Sequence, residues 1–446
     1  MAKLSGFPEY SPRERIVEQA VLDHLRATFE LHGFASVETR AVEPLEVLLR
    51  KGEIDKEVYG VRRLAGDGDA DLALHFDLTV PFARYVTENA GTLDFPFRRY
   101  QIQKVWRGER PQQGRFREFT QADIDIVGRD TLPFHADVEV AQVMAEALGG
   151  LMGLVGGAGA TLQISNRKVL EGFYLGLGLA EPAAVMQVVD KLDKVSADKV
   201  RSMLADIGVG EEQASAVLAL AEIVTTDTSF VQRVEALGVE HELLAEGLGE
   251  LAEVVGSLAT PAGVTVTADL RIARGLDYYT GTVFETRLAG YESLGSICSG
   301  GRYEKLASDN RSTYPGVGIS LGVSRFLAAL LADGLSATRS VPSAVLVAVT
   351  DEQHRSEAAE AARALRARGI ASEIAPSAAK FGKQIRHAER RGIPFVWFPG
   401  DPHTVKDIRS GEQVEADPSA WTPPAGDLRP QVLATPSSST PSEEKQ

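Results

Sequence analysis

Residues 99–128 read RYQIQKVWRGERPQQGRFREFTQADIDIVG and contain two runs rich in β-branched and aromatic residues, 100–107 and 116–127. The segment between them, ERPQQGR, carries a proline and a glycine that favour a turn. This arrangement predicts two antiparallel strands joined by a long hairpin loop. The hairpin is also basic, with seven Lys or Arg residues and one acidic residue between positions 98 and 117. Because a guanidinium pairs with phosphate or carboxylate through two parallel hydrogen bonds, the hairpin predicts an anion-binding surface.

The residues that precede this hairpin predict helices and strands of the same domain. An amphipathic helix is expected from 12 to about 31, ending before Gly33. Alternating residues at 37–41 and the apolar run 71–76 predict two strands, and a helix is expected to begin near Thr79.

Beyond the hairpin, residues 182–258 are rich in Ala, Leu and Glu and predict an inserted helical subdomain. Between 211 and 253 this segment carries ten acidic residues and one basic residue, so it offers no positive surface for a polyanion. The segments that follow it are predicted as two strands, a glycine-rich stretch, and a second glycine run leading into an apolar helix: 264–270, 281–287, 298–303, 316–322 and 323–332.

The C-terminal part of the chain alternates short apolar runs with helical patterns. Strands are predicted at 344–349, 370–375 and 394–398, and helices at 355–368 and 381–391. Such alternation indicates a small α/β domain with a largely parallel sheet. The last residues, 426–446, are rich in Pro, Ser and Thr and are predicted to be disordered.

Composition limits the classes of protein to which the chain can belong. With 446 residues, 44% of them apolar and 24% charged, it is long enough for two or three globular domains and unlike a collagen or a coiled coil. We expect no membrane span and no signal peptide, and therefore a cytoplasmic protein. The single cysteine, Cys298, excludes an internal disulfide and predicts a buried thiol.

Four segments concentrate side chains that bind phosphate, carboxylate or amine groups. Asp77-Leu78-Thr79 follows a buried run, and Asp77 is read either as a helix N-cap or as a ligand of an ammonium group. The hairpin supplies Arg107 and Gln121, with a solvated charge run as the alternative. The run 274–281, RGLDYYTG, suits a polar planar ligand. The glycine run 316–322, which ends near Arg325, is read either as part of a site or as a sign of tight helix packing.

These motifs together resemble the histidyl-tRNA synthetase family of class II aminoacyl-tRNA synthetases. The hairpin resembles motif 2, RGLDYYTGTVFE resembles the histidine-specific signature, and GGRYEKL and GVGISLGVSRF resemble the histidine-binding loop and motif 3. The resemblance runs from about residue 10 to 422. It implies an α+β fold: an antiparallel-sheet catalytic domain at 1–335 with a helical insertion at 182–258, an α/β anticodon-binding domain at 342–425, and a tail at 426–446.

The resemblance also implies an activity and its partners. Members of the family ligate L-histidine to tRNA(His), using ATP and Mg²⁺, through a histidyl-adenylate that releases diphosphate and then AMP. They are cytoplasmic homodimers with no membrane partner. A rival class is also compatible with the catalytic fold: a catalytically silent, histidine-binding regulatory subunit of ATP phosphoribosyltransferase. Such subunits typically lack the anticodon domain and lose the motif arginines.

Site residues are carried over position by position. Catalysis is assigned to Arg107, Arg274 and Arg325. ATP binding is assigned to Arg107, Glu109, Arg115 and Arg325. Histidine binding is assigned to Asp77, Leu78, Thr79, Arg107, Gln121, Asp125, Arg274, Tyr278, Tyr279 and Tyr303. The resemblance assigns no protein ligands to a metal.

Overall fold

The structure, a computed structural model, describes residues 4–49, 57–65, 71–156, 159–272, 279–309 and 311–434. The chain divides into two compact units. The first comprises Met1–Pro8 and Val21–Leu330, and the second comprises Glu9–Ala20 and Leu331–Gln446.

The first unit combines strands and helices. Up to residue 322 the strands are β1 Ala35–Ser36, β2 Val42–Pro44, β3 Gly60–Val61, β4 Leu72–Leu74, β5 Phe97–Trp106, β6 Glu118–Val127, β7 Ala160–Asn166, β8 Val224–Thr225, β9 Val264–Asp269, β10 Tyr279–Leu288, β11 Cys298–Ser308 and β12 Thr313–Gly322. Up to residue 332 the helices are α1 Pro12–Leu31, α2 Leu45–Leu49, α3 Thr79–Asn89, α4 His135–Val155, α5 Arg167–Gly176, α6 Pro182–Val189, α7 Ala197–Asp206, α8 Glu211–Ala221, α9 Phe230–Glu235, α10 Glu242–Ser257 and α11 Val323–Ala332.

Nine of these strands form one sheet in the order β1-β5-β6-β12-β11-β10-β7-β9-β8. The predicted hairpin is confirmed, because β5 and β6 pair antiparallel along their whole length. All neighbours from β5 to β7 are antiparallel, whereas the β1–β5 and β7–β9 pairs are parallel. The strand predicted at 37–41 is wrong: β1 ends at Ser36, and the chain leaves the sheet before β2 pairs with β4 in a separate three-stranded sheet.

Helix α4 covers one face of the nine-stranded sheet and contacts β6, β7, β9 and β12. It is long and apolar enough to span a membrane by length and composition, the only such helix found in the described ranges. Its apolar residues include Val140, Met144 and Leu148, all fully buried in the core. A helix that is apolar on most sides is expected when it is enclosed by a core. Its buried Asp137 pairs with Arg302 of β11 at 2.7 Å.

The segment predicted as a helical subdomain consists of helices α6 to α10, a 3-10 turn at Asp190–Asp193 and one short strand. The strand, β8, pairs with β9 at the edge of the large sheet, and this pairing corrects the prediction. Helix α10 packs closely on α5, where a Cβ atom on Gly172 would lie 2.3 Å from the backbone nitrogen of Leu244. Glycine is therefore required where these two helices touch.

The second unit contains the predicted α/β domain. Its elements are the strands β13 Ser336–Ala337, β14 Val345–Val347, β15 Ser372–Ile374, β16 Phe395–Phe398, β17 Thr404–Asp407, β18 Gln413–Glu415 and β19 Val432–Leu433, and the helices α12 Arg355–Ala367, α13 Phe381–Arg391 and α14 Ala425–Leu428. The sheet order is β15-β14-β16-β17-β18. The first three strands are parallel but β17 and β18 run antiparallel, so the sheet is mixed rather than largely parallel.

Part of the predicted disordered tail is ordered. Strand β19 pairs with β13, and the backbone N–H of Gln431 donates to the Thr338 hydroxyl at 3.1 Å. The strand pairing and this hydrogen bond hold the chain in place as far as Leu433, which the Pro- and Ser-rich composition does not predict. Residues 435–446 lie outside the described residues.

Candidate functional site

One face of the central strands carries a row of polar side chains. Because side chains alternate along a strand, Gln121, Asp123 and Asp125 of β6 share a face, while Ala122 and Ile124 between them point to the opposite face and are buried. Asp125 lies directly between Arg99 of β5 and Gly318 of β12 in the sheet register. Three neighbouring strands thus present polar groups at one place.

Two clefts lie along this face. The first, here called the arginine cleft, has a volume of about 580 Å³ including space open to solvent, and it is lined by Arg107, Glu109, Arg115, Gln121 and Arg325 among others. The second, the acidic cleft, has a volume of about 250 Å³ including space open to solvent, and it is lined by Thr79, Asp123, Asp125, Tyr279 and Tyr303 among others. Ser299 and Ser320 line both clefts, so the two meet there.

Arg107 follows the last residue of β5 and is held on two sides. Its Nε donates to the carbonyl oxygen of Phe76 at 2.9 Å, and its guanidinium lies 5.1 Å from the centre of the Phe119 ring. These contacts orient the side chain and leave its two terminal nitrogens without a hydrogen bond to the described protein. A guanidinium held in this way is ready to form a two-point contact with a phosphate or carboxylate.

Arg325 enters the same cleft from the first turn of α11. Its Nε donates to the carbonyl oxygen of Gly114 at 3.1 Å, and its Nη1 donates to that of Ser296 at 2.8 Å. Burial lowers the pKa of Arg325, and the positive charges of Arg115 and Arg107 lower it further. Arginine stays protonated despite this shift, so the positive charges of Arg107, Arg115 and Arg325 repel one another. A bound anion would reduce this repulsion.

The loop of the hairpin completes the arginine cleft. Glu109 and Arg115 form an ion pair at 3.5 Å, and Gln112 and Arg115 exchange backbone hydrogen bonds across a tight turn. Gly114 has a φ of 71°, a left-handed conformation that favours glycine. This turn brings the carbonyl group of Gly114 to Arg325.

Asp125 is the central acceptor of the acidic cleft. It pairs with the fully buried Arg99 at 2.7 Å and accepts a hydrogen bond from the Tyr303 hydroxyl at 3.0 Å. Burial raises the pKa of Asp125 to about 6, and the Arg99 charge and the Tyr303 hydroxyl oppose this rise. Burial and the charge of Asp125 raise the pKa of Tyr303, which keeps its hydroxyl a proton donor. A donor on a bound planar ligand would meet a fixed carboxylate here.

Glycines make room for this arrangement. A Cβ atom on Gly318 would lie 2.1 Å from Oδ1 of Asp125, and one on Gly316 would lie 2.4 Å from Cζ of Tyr303. Residues 316–322 lie in strand β12. Gly316 and Gly318, the first two glycines of the run, leave space for the side chains of Tyr303 and Asp125 in the acidic cleft. The alternative of tight helix packing does not apply to these two positions.

We predict that Gly318→Ala destabilises the fold by about 1–3 kcal/mol, the usual cost of adding a carbon to a filled space. The new Cβ would force Asp125 to move. Urea unfolding measures the loss of stability. Gly153→Ala is the matched control, because a Cβ atom there meets nothing within 4 Å and alanine favours helix α4. Equal stability of the two variants would contradict the prediction.

Asp77, Leu78 and Thr79 occupy the start of α3 but have different surroundings. Asp77 is buried and precedes the N-cap residue Leu78, and its Oδ1 accepts a hydrogen bond from the backbone N–H of Val80 at 3.1 Å, so it binds the first turn without being the N-cap itself. Leu78 is fully buried in the core, whereas Thr79 lines the acidic cleft. Among these three predicted site residues, Leu78 is thus the one whose side chain serves packing.

Of the remaining residues predicted to bind histidine or act in catalysis, Tyr279 and Tyr303 are described by the structure. Tyr279 begins β10 opposite Tyr303 of β11, and both line the acidic cleft. Arg274 and Tyr278 lie outside the described residues. Cys298 is buried, as predicted.

Three polar residues of the site were missed by the sequence reasoning. Arg99, Asp123 and Ser320 are all buried or line the acidic cleft, and Ser320 donates a hydrogen bond to Asp123. The signal that could have found Asp123 is the alternation Gln-Ala-Asp-Ile-Asp at 121–125, which places it between two predicted site residues.

The raised carboxyl pKa values predict how stability depends on pH. Burial raises the pKa of Asp123 to about 7 from an ordinary value of 3.8. Between about pH 4 and 7 the folded protein holds protons that the unfolded chain has released, so stability falls as pH rises through this window. Asp123→Asn should therefore raise the free energy of unfolding at pH 8 by roughly 1–4 kcal/mol, and this gain should vanish near pH 4. Urea unfolding at several pH values measures it, and a gain independent of pH would contradict it.

Comparison with known proteins identifies the family. The sequence model described as histidyl-tRNA synthetase matches residues 6–326, and the one described as anticodon binding domain matches residues 343–419. The chain is 60% identical to a histidine-tRNA ligase from Cutibacterium acnes, with 97% of this chain and 98% of that protein covered. It is also 60% identical to a histidine-tRNA ligase from Micrococcus luteus over the same shares of the two chains.

Solved structures agree with the sequence matches. The crystal structure of histidyl-tRNA synthetase from Nostoc has a TM-score of 0.82 and 34% identity, with 93% of this chain and 96% of that chain covered. The fold is therefore α+β, with an antiparallel-dominated sheet and a separate anticodon-binding domain, as predicted. A structure from Bacillus halodurans, titled as an ATP phosphoribosyltransferase regulatory subunit/histidyl-tRNA synthetase, shares the fold with a TM-score of 0.70 at 21% identity. The family model and the 60% identical relatives cover most of this chain, which belongs to the histidyl-tRNA synthetase family.

Proposed function

We propose that this chain ligates L-histidine to tRNA(His) in two steps, through a histidyl-adenylate. The observation that carries the proposal is that a cleft lined by three arginines meets a cleft lined by buried carboxylates at Ser299 and Ser320. The first cleft suits the triphosphate of ATP, and the second suits the imidazole group of histidine. The histidine ammonium would lie at the junction of the two clefts, where Gln121 is bound to Ser320. The carboxylate of histidine and the α-phosphate of ATP would then meet at the junction.

In the first step the histidine carboxylate attacks the α-phosphorus, a P–O bond forms, and the bond to the leaving diphosphate breaks. Negative charge spreads over the phosphate oxygens in the transition state, and fixed positive groups stabilise it. Arg107 and Arg325 supply that charge without a proton transfer, since arginine remains protonated. In the second step a ribose hydroxyl of the tRNA 3′ end attacks the acyl carbon and AMP leaves. Arg274 remains a predicted third contributor to the first step.

Histidine would be selected by the acidic cleft. Asp125 is held by Arg99 and Tyr303, so its carboxylate presents an acceptor to a ring N–H at a fixed position. A site with a buried group of this kind rejects ligands that lack the matching donor, because the group would be left unpaired. We also propose that Thr79, Gln121 and Tyr279 contact histidine, and that Glu109 and Arg115 contact ATP.

The residues that line the clefts can be compared with those that usually hold Mg²⁺ beside a nucleotide. Among the described residues, no group of three or more His, Cys, Asp or Glu side chains could hold a metal ion. Mg²⁺ in nucleotide sites is usually held by one or two carboxylates together with phosphates. Glu109 lines the arginine cleft, so the residues present fit an ion that enters with ATP. Glu109 would help to hold such an ion, which would neutralise negative charge on the phosphates of ATP.

The C-terminal domain, with proposed bounds of 342–425, is proposed to bind the anticodon. The proposed bounds of the catalytic domain are 1–335, and those of its helical insertion are 182–258. Helix α13 supports the proposal, because Lys383, Arg386 and Arg390 are exposed on it. Exposed cations on one helix attract the phosphates of RNA. The homodimer and the cytoplasmic location are proposed from the family.

We predict that Arg386→Glu combined with Arg390→Glu weakens charging of tRNA(His) by about tenfold or more at moderate salt and leaves histidine-dependent pyrophosphate exchange unchanged. Each lost phosphate contact reduces the salt-dependent part of binding. Aminoacylation at two salt concentrations measures the effect, with Arg201→Glu on the acidic helical insertion as the control. Equal charging by the double variant would refute this role for α13.

The regulatory-subunit alternative is not favoured. The 60% identical relatives are named histidine-tRNA ligases over nearly the full chain, and this chain keeps Arg107, Arg325 and an anticodon-binding segment at 343–419. The decisive experiment is exchange of labelled pyrophosphate into ATP. Exchange that requires L-histidine supports the proposed function, and its absence in folded protein refutes it.

A further inference from the structure

The side-chain amide of Gln121 forms a hydrogen bond through its nitrogen but not through its oxygen. Its Nε2 donates to the Ser320 hydroxyl at 2.6 Å, and the side chain is only 8% exposed. Its Oε1 is buried and accepts no hydrogen bond from the described protein. A buried acceptor without a partner is costly, so this atom is expected to meet a donor from a ligand in the cleft that Gln121 lines.

The orientation of this amide follows from the chain of hydrogen bonds behind it. Asp123 is acceptor-only when ionised, so the Ser320 hydroxyl must give its proton to that carboxylate. The Ser320 oxygen can then only accept, and the amide end that faces it must be the NH₂ group of Gln121. The carbonyl oxygen of Gln121 is thereby turned to the cleft.

We propose that Asp123 and Ser320 are positioning residues that hold the Gln121 amide with its carbonyl oxygen toward the bound amino acid, so that the site requires a protonated α-amine. This inference rests on the proposed function, because it assumes an amino acid in the clefts. Without the Asp123 carboxylate, the Ser320 hydroxyl is free to donate to Oε1, and the amide can turn its NH₂ group toward the substrate ammonium. Two donors would then face each other.

The test compares two ligands that differ only in the amine. L-Histidine and 3-(imidazol-4-yl)propanoate share the ring and the carboxylate. Binding of each is measured by calorimetry at pH 8, above the pKa of about 7 to which burial raises Asp123. Asp123→Ala and Ser320→Ala are expected to weaken L-histidine binding about tenfold, the value of one lost hydrogen bond, and to change binding of the amine-free ligand less than twofold. An equal loss for both ligands, or no loss for either, overturns the proposal.

Two further variants separate positioning from packing. Asp123→Asn keeps an oxygen that accepts from Ser320, so it should bind L-histidine within about threefold of the parent protein. In a Gln121→Glu background both ends of the side chain are acceptors, so Asp123→Ala should lose less than threefold there. A tenfold loss in that background would mean that amide orientation is not what Asp123 controls.

Pyrophosphate exchange by the unaltered protein separates a failure of the positioning role from a failure of the proposed function. If exchange requires histidine but the two alanine variants fail to discriminate between the ligands, the positioning role is refuted and the proposed function stands. If the unaltered protein shows no histidine-dependent exchange, the proposed function itself is refuted.

Discussion

Arg107→Ala should slow histidine-dependent pyrophosphate exchange by about 10²–10³-fold, the cost of losing one preorganised donor to a transition state. The structure supports an effect of this size because the Phe76 carbonyl and the Phe119 ring already hold the guanidinium in place. Its terminal nitrogens are therefore aimed at the cleft before ATP binds. Exchange kinetics at saturating ATP and histidine measure the loss as a reduced rate constant.

Two variants control this result. Arg107→Lys keeps the positive charge but cannot make a two-point contact, so its rate should lie between those of the parent and Arg107→Ala. Arg110→Ala removes an exposed cation of the same hairpin and should change the rate less than threefold. A rate for Arg107→Ala within tenfold of the parent would remove Arg107 from the proposed chemistry.

Asp125→Asn should raise the KM for histidine by about 10²-fold and leave the KM for ATP within twofold. A hydrogen bond to a charged group contributes about 1.5–3 kcal/mol, and asparagine removes the charge while nearly preserving the shape. The Tyr303 hydroxyl can still donate to the remaining oxygen, so the cleft should keep its geometry. Steady-state exchange with each substrate varied in turn gives both constants.

The substitution also leaves the buried Arg99 without its ionic partner, so a loss of stability must be separated from a loss of recognition. Thermal unfolding with and without histidine makes this separation. Asp206→Asn, at an exposed carboxylate on helix α7, is the control and should change neither constant. A parallel rise in both KM values would mean that Asp125 supports the fold rather than histidine recognition.

Much of the fold was accessible from local patterns. The basic hairpin, helix α1, helix α13 and the α/β alternation after residue 344 are all decided by residues near one another in the sequence, and the structure contains each of them. Errors arose where a distant partner decided the outcome. Strand β8 exists because β9 lies beside it, and residues 432–433 are ordered because β13 pairs with them.

The sequence by itself determined the family, the fold class and the chemical types of the site residues, because motif spacing and the period of two along β6 are properties of the chain. Only the tertiary structure decided which residues face each other: Arg99 and Gly318 beside Asp125, and Gly316 beside Tyr303. The physical reason is that strand register is a relation between distant segments, and a shift of one residue would turn every side chain to the opposite face. The role of Gly318 and Gly316, which leave room for Asp125 and Tyr303, therefore depends on the strand pairing and cannot be predicted from the sequence alone.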